Sequence, residues 1–151
     1  MDLKDLTTIT SPNFDDIRGL TEAYREAKSS DHTTQVGAYI NGISAYNKEV
    51  GGERMHAESL ALLHCARLGV RTQDQTLYAP WAACFCCAQD IQQAGIRRVV
   101  THKTLMEKTY DKWLTSVERG LSLLWDHGVQ VEMIDYDFDM TIDFNGQEVR
   151  V

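Results

Sequence analysis

QTLYAPWAACFCCAQDIQQAGIRRVVTH, residues 75–102, decides the fold. QTLYAP and IRRVVTH are short and rich in Leu, Tyr, Val and Ile, and each reads as a strand. Between them CAQDIQQAG reads as a helix that Gly95 stops. Strands joined through a helix lie parallel, because a tight hairpin turn is not what connects them. The pattern continues downstream. TYDKWLTSVERGLSLLWDHG (109–128) is a long helix closed at Gly128, and VQVEMI (129–134) is the next strand.

Upstream, HAESLALLHCARLGV (56–70) is helical with Gly69 near its stop. In QVGAYINGISAYNKEV (35–50), Asn41-Gly42 lies between two alternating stretches, which predicts a hairpin. SPNFDDIRGLTEAYREAKSS (11–30) predicts a helix capped by Ser11, with Phe14, Ile17, Leu20, Ala23, Tyr24 and Ala27 at helical spacing. The last stretch, DYDFDMTIDFNGQEVRV (135–151), carries a second Asn-Gly, Asn145-Gly146, and reads as an appended hairpin. Its acids Asp135, Asp137, Asp139 and Asp143 read as a solvated face. The expected architecture is α/β, with a mixed central sheet of about five strands between helices on both faces. A single domain is expected over 1–151, with the core at about 11–134 and the C-terminal hairpin at 135–151.

The composition narrows the function. With 22 acids against 15 Lys and Arg, the net charge is −7. That balance and the lack of a basic run argue against a nucleic-acid polymer as substrate, while a small nucleotide stays open. The start, MDLKDLTTIT, has no basic-then-apolar signal pattern, and no apolar run is long enough to span a bilayer. A cytoplasmic location is expected. There, clustered cysteines are more often metal ligands or catalysts than disulfides.

Three of the four cysteines, Cys84, Cys86 and Cys87, crowd one helix start. Residues three apart share a helical face, so Cys84 and Cys87 can grip one ion. Cys86 and Cys87 diverge by about 100°. His56, at the start of another helix, is the candidate third ligand. One neutral imidazole and two thiolates would leave zinc formally neutral, with a fourth position open for water, as in catalytic sites. Cys86 as a fourth ligand would instead make a structural site. His64 lies about 12 Å further along the helix of His56 and cannot share its ion. Cys65 is as remote and reads as a buried thiol. His102 ends a strand and either reaches the pocket mouth or packs. Glu58, two residues after His56, can sit beside a metal-held water and move its proton. Taken alone, Glu58 would read better as an early-helix acid favoured by the dipole; beside His56 and the spaced cysteine pair, the proton-moving role prevails.

His56-Ala57-Glu58 followed, after about 25 residues, by Cys84-Phe85-Cys86-Cys87 resembles the signature of the zinc-dependent cytidine/deoxycytidylate deaminases. The resemblance covers about Ser29 to Val131 and departs at Ala83, where the family usually has proline. It implies a cytidine deaminase-like three-layer α/β/α fold, in agreement with the element order. It also implies Zn2+ as cofactor on His56, Cys84 and Cys87, with Glu58 as the acid/base and Cys86 as a packed bystander. In the implied reaction, zinc-activated water attacks C4 of a cytosine ring. Glu58 protonates N3 and then serves the departing amino group, with backbone amides near Ala57 and Cys84 assisting.

Within that family, SSDHTTQVGAYI and SAYNKE resemble deoxycytidylate (dCMP) deaminases, including phage forms, and Asn47 matches the asparagine that bonds the sugar. The usual flanking glycines are Ala45 and Lys48 here, and the segment from Asn47 to His56 is short. Conversion of dCMP to dUMP with release of ammonia is therefore the expected activity. Deamination of a nucleoside or of a 5-substituted dCMP, and a non-catalytic zinc-containing nucleotide-binding role, are the alternatives. Trp81 could close over the base. Trp113 and Trp125 read as core or subunit interface. Arg25, Lys28, Lys103 and Lys112 are candidate phosphate contacts. The resemblance further implies a homo-oligomer and a nucleoside triphosphate effector.

Overall fold

A computed structural model describes residues 1–151. The chain runs β1 (Thr7–Ile9), α1 (Phe14–Ala27), β2 (Gly37–Ile40), β3 (Ile43–Tyr46), β4 (Lys48–Val50), β5 (Glu53–Met55), α2 (Ala57–Leu68) and β6 (Thr76–Tyr78). It continues through α3 (Phe85–Gln93), β7 (Arg98–His102), α4 (Lys103–Met106), α5 (Asp111–Asp126), β8 (Gln130–Ile134), β9 (Thr141–Phe144) and β10 (Gln147–Arg150). The central sheet has the order β1-β8-β7-β6-β2-β3. The first four strands in that order are mutually parallel, and β2 is antiparallel to both β6 and β3. This is the mixed sheet expected, with one strand more. The sixth, β1, spans only Thr7–Ile9 and is largely exposed, too short for an alternation signal; pairing with β8 is what makes it a strand.

Val99 and Val100 show how the layers form. Neighbours on a strand face opposite ways. Val100 packs with Leu20 of α1, whereas Val99 joins the large core that holds residues of α2, α3 and α5. Helix α1 therefore covers one face and the other three long helices cover the second. Gly37 lets α1 approach closely, since a Cβ there would run into the Ala23 carbonyl. Both predicted Asn-Gly turns form: Asn41-Gly42 and Asn145-Gly146 have positive φ at both residues, as a two-residue hairpin turn requires. At the start of α1 the cap is Asn13, whose Oδ1 accepts from the Asp16 amide at 2.8 Å, and not Ser11. Phe14, expected on the buried face, is 75% exposed because it stands first in the helix.

A further hairpin, β4–β5, turns at Gly51-Gly52 immediately before α2. The segment between Asn47 and His56 is thus structured, although its exposed residues show no buried alternation. No helix is long and apolar enough to cross a membrane.

Candidate active site

Two helix starts meet behind the sheet. His56 is the N-cap residue of α2 and Cys84 that of α3, and the two helices pack together. Cys87 lies one turn into α3 and is buried. His56 Nδ1 is 3.2 Å from Cys84 Sγ and 3.3 Å from Cys87 Sγ, and the three donor atoms lie within 4.8 Å of one another. A tetrahedral zinc with bonds of about 2.3 Å to sulfur and 2.0–2.1 Å to nitrogen would hold N and S about 3.6 Å apart. The residues fit the ion with only a small outward adjustment. Hydrogen bonding from Cys87 holds Cys84 well below the usual thiol range, and the same bond with burial holds Cys87 above it. Ser59 Oγ is 3.5 Å from Cys87 Sγ and donates to Asp90 at 2.6 Å, fixing this corner from behind.

Glu58 is 4% exposed and lines a cavity of about 350 Å³ together with His56 and Cys84. Burial pushes its carboxyl up to about 7, against the lowering effects of a backbone hydrogen bond and the nearby His56. Ala57 lines the same cavity, and as the first helical residue its N–H has no intrahelical acceptor. The site thus combines a metal-ligating triad, a buried carboxyl that can hold a proton near neutrality, and a free helix-start amide. Together these can serve hydrolysis at a polarised ring carbon.

The family profile "Cytidine and deoxycytidylate deaminase zinc-binding region" matches residues 15–103, more than half of the chain. The chain belongs to this family. ComE operon protein 2 of Bacillus subtilis (strain 168) is 30% identical over 94 residues, 62% of this chain; the match spans only 44% of that protein. The dCMP deaminase of cyanophage S-TIM5 shares the fold, with TM-score 0.63 at 22% identity over 81% of this chain and 99% of that one. That enzyme is also known in complex with dCMP and dUMP, with TM-score 0.62 against this chain at 20% identity, covering 81% of this chain and 98% of that one. A diaminohydroxyphosphoribosylaminopyrimidine deaminase/reductase of Thermotoga maritima reaches 0.54 at 19% identity, over 79% of this chain and 35% of that one. Zinc is the family's metal, and His56, Cys84 and Cys87 are placed to bind it.

The other predicted site residues divide. Asn47 lines the cavity, but half of its hydrogen-bonding capacity serves the backbone: Oδ1 accepts from the Val36 amide at 2.9 Å and Nδ2 donates to the Thr34 carbonyl at 2.8 Å. One donor and one lone pair remain for a ligand. Trp81 lines the cavity with its indole N–H on Thr109 Oγ1 at 3.0 Å. Trp113, expected in the core or an interface, also lines it, 4.9 Å from Trp81, whereas Trp125 is exposed. Cys86 is exposed on α3 and not packed, because its direction one step from Cys87 leads to solvent. Cys65 is a buried thiol, as expected. His102 is far from a pocket role. It is fully buried, with Nε2 donating to the Tyr136 carbonyl at 2.8 Å and Nδ1 accepting from the Tyr24 hydroxyl, and burial lowers its pKa.

None of Arg25, Lys28, Lys103 and Lys112 lines the cavity. Lys112 comes to its wall at one remove, with Nζ 4.4 Å from the Trp113 ring centroid. The lining cation is Arg54, on β5, which the sequence reading passed over. The Gly51-Gly52 turn beside it was the available signal.

Proposed function

We propose that the whole chain works as one zinc-dependent hydrolytic deaminase, converting dCMP and water to dUMP and ammonia. The supporting observation is the pairing of a buried Glu58 beside the His56–Cys84–Cys87 triad with a single cation, Arg54, on the same cavity. Zinc held by the triad supplies Lewis acidity that brings water to a reactive state near neutral pH. Glu58 takes the proton of that water, delivers a proton to N3 of the cytosine and serves the amino group as it leaves as ammonia. Its burial suits this traffic, since a carboxyl poised near neutrality both gives and accepts a proton readily. The Ala57 amide faces the reacting edge of the ring, Trp81 covers its face, and Asn47 offers its spare donor and lone pair to the sugar.

Arg54 selects the phosphate. It makes no ion pair within the protein, although Glu49 stands opposite it in the hairpin register. A guanidinium on a cavity wall, free of an acidic partner, suits a phosphate oxygen pair. Arg54→Gln is expected to lower kcat/KM for dCMP about 10- to 100-fold while leaving deoxycytidine within about twofold. Steady-state rates on both substrates read this out. An equal loss on both, or a wild type that prefers deoxycytidine, would contradict the phosphate assignment.

A further inference from the structure

We propose that the C-terminal hairpin is part of the substrate site, and that residues 143–146 set the spacing between two walls of the cavity. The family match ends at residue 103, so this hairpin lies outside the matched region. One wall is aromatic, made by Trp81 and Trp113. Phe144, only 1% exposed, stands behind both rings, edge-on to Trp81 at 5.0 Å and to Trp113 at 6.2 Å. It also stacks with Tyr110, which meets Trp113 edge-on at 5.6 Å.

A second part of the lining contains Thr34 and Val36. Here the hairpin acts through its backbone. The Gln35 amide donates to the Asp143 carbonyl at 2.8 Å, and the Asp143 amide donates to Gln35 Oε1 at 2.8 Å. The Asn145 amide donates to Thr34 Oγ1 at 3.1 Å, and the Gly146 amide to the Thr33 carbonyl at 2.8 Å. Four consecutive residues therefore grip both walls, with the Phe144 side chain turned one way and its neighbours' backbone the other.

The hairpin is itself anchored. Ile142, Val149 and Val151 pack with Tyr24 and Leu105, and the Val151 amide donates to the Met140 carbonyl at 2.9 Å. Such a strut matters because rings and loop backbone hold a ligand well only when their own supports are fixed. Phe144 is not itself among the residues that line the cavity; it is a positioning residue.

The choice of dCMP as ligand rests on the function proposed above, so the test includes a readout free of substrate. In a Trp125→Phe background, acrylamide quenching reports Trp81 and Trp113 alone. Phe144→Ala is expected to increase that quenching and to raise KM for dCMP about tenfold, with kcat within about twofold and zinc content unchanged. Phe144→Leu should recover most of both effects. Met133→Ala, a core truncation in β8, controls for lost stability: it should lower the melting temperature while leaving quenching and KM alone. If Phe144→Ala gives the same quenching as its parent, or if Met133→Ala reproduces the KM change, the inference is overturned. Absence of dCMP turnover in the wild type would overturn the proposed function, and quenching would still decide the role of the hairpin.

Discussion

Glu58→Gln is expected to lose deamination by at least about 10³-fold while keeping its zinc and its fold. The substitution preserves shape and removes the ability to exchange a proton. In the proposed reaction two successive steps depend on that exchange, protonation of N3 and protonation of the departing amino group. Structure should survive, because a neutral amide is easier to bury than a carboxylate at a position only 4% exposed. Ammonia release measured beside zinc content decides the matter. Retention of a tenth of the wild-type rate in a zinc-loaded variant would remove Glu58 from the chemistry.

Cys87→Ser is expected to abolish both zinc binding and activity. Cys87 is the buried member of the triad, held by Ser59 and lying in the first turn of α3, so no neighbour can move in to replace it. Exposed Cys86 points away from the site. Zinc on this triad would also add stability, because folding is what brings the three ligands together. At free zinc 1,000 times its dissociation constant, the contribution is about 4 kcal/mol. For a chain of this size, that corresponds to a melting temperature roughly 8–16 °C higher for the zinc-loaded wild type. The zinc-free wild type and Cys87→Ser should melt together. A variant that keeps stoichiometric zinc would show that the ion is held elsewhere.

Local chemistry made much of this molecule readable. Asn-Gly dipeptides force positive φ at two successive residues, so both hairpins follow from a few letters. The alternation of strands and helices dictated parallel pairing of β6, β7 and β8. The triad was legible because an i, i+3 cysteine pair and a histidine before an acid are spacing rules, satisfied within single helix turns.

What escaped the sequence depends on contacts between distant segments. Helical periodicity placed Trp113 on an inward face, yet such a pattern cannot distinguish a core from a cavity wall. Arg98 of β7 pairs with buried Asp16 through two 2.8 Å bonds and with Glu132 at 2.7 Å, tying α1 to the sheet, a contact that no local pattern announces. Arg54 reaches the cavity wall, and Phe144 its place behind Trp81, only when two separate hairpins fold onto the rest of the chain.

The most direct measurement is the rate of ammonia release from dCMP by the zinc-loaded wild type, with deoxycytidine and dCTP run in parallel and the product identified by mass. The proposed function predicts stoichiometric dUMP and ammonia, a kcat/KM highest for the monophosphate, and loss of the reaction when zinc is chelated. Bound zinc with no turnover of any of the three would contradict it.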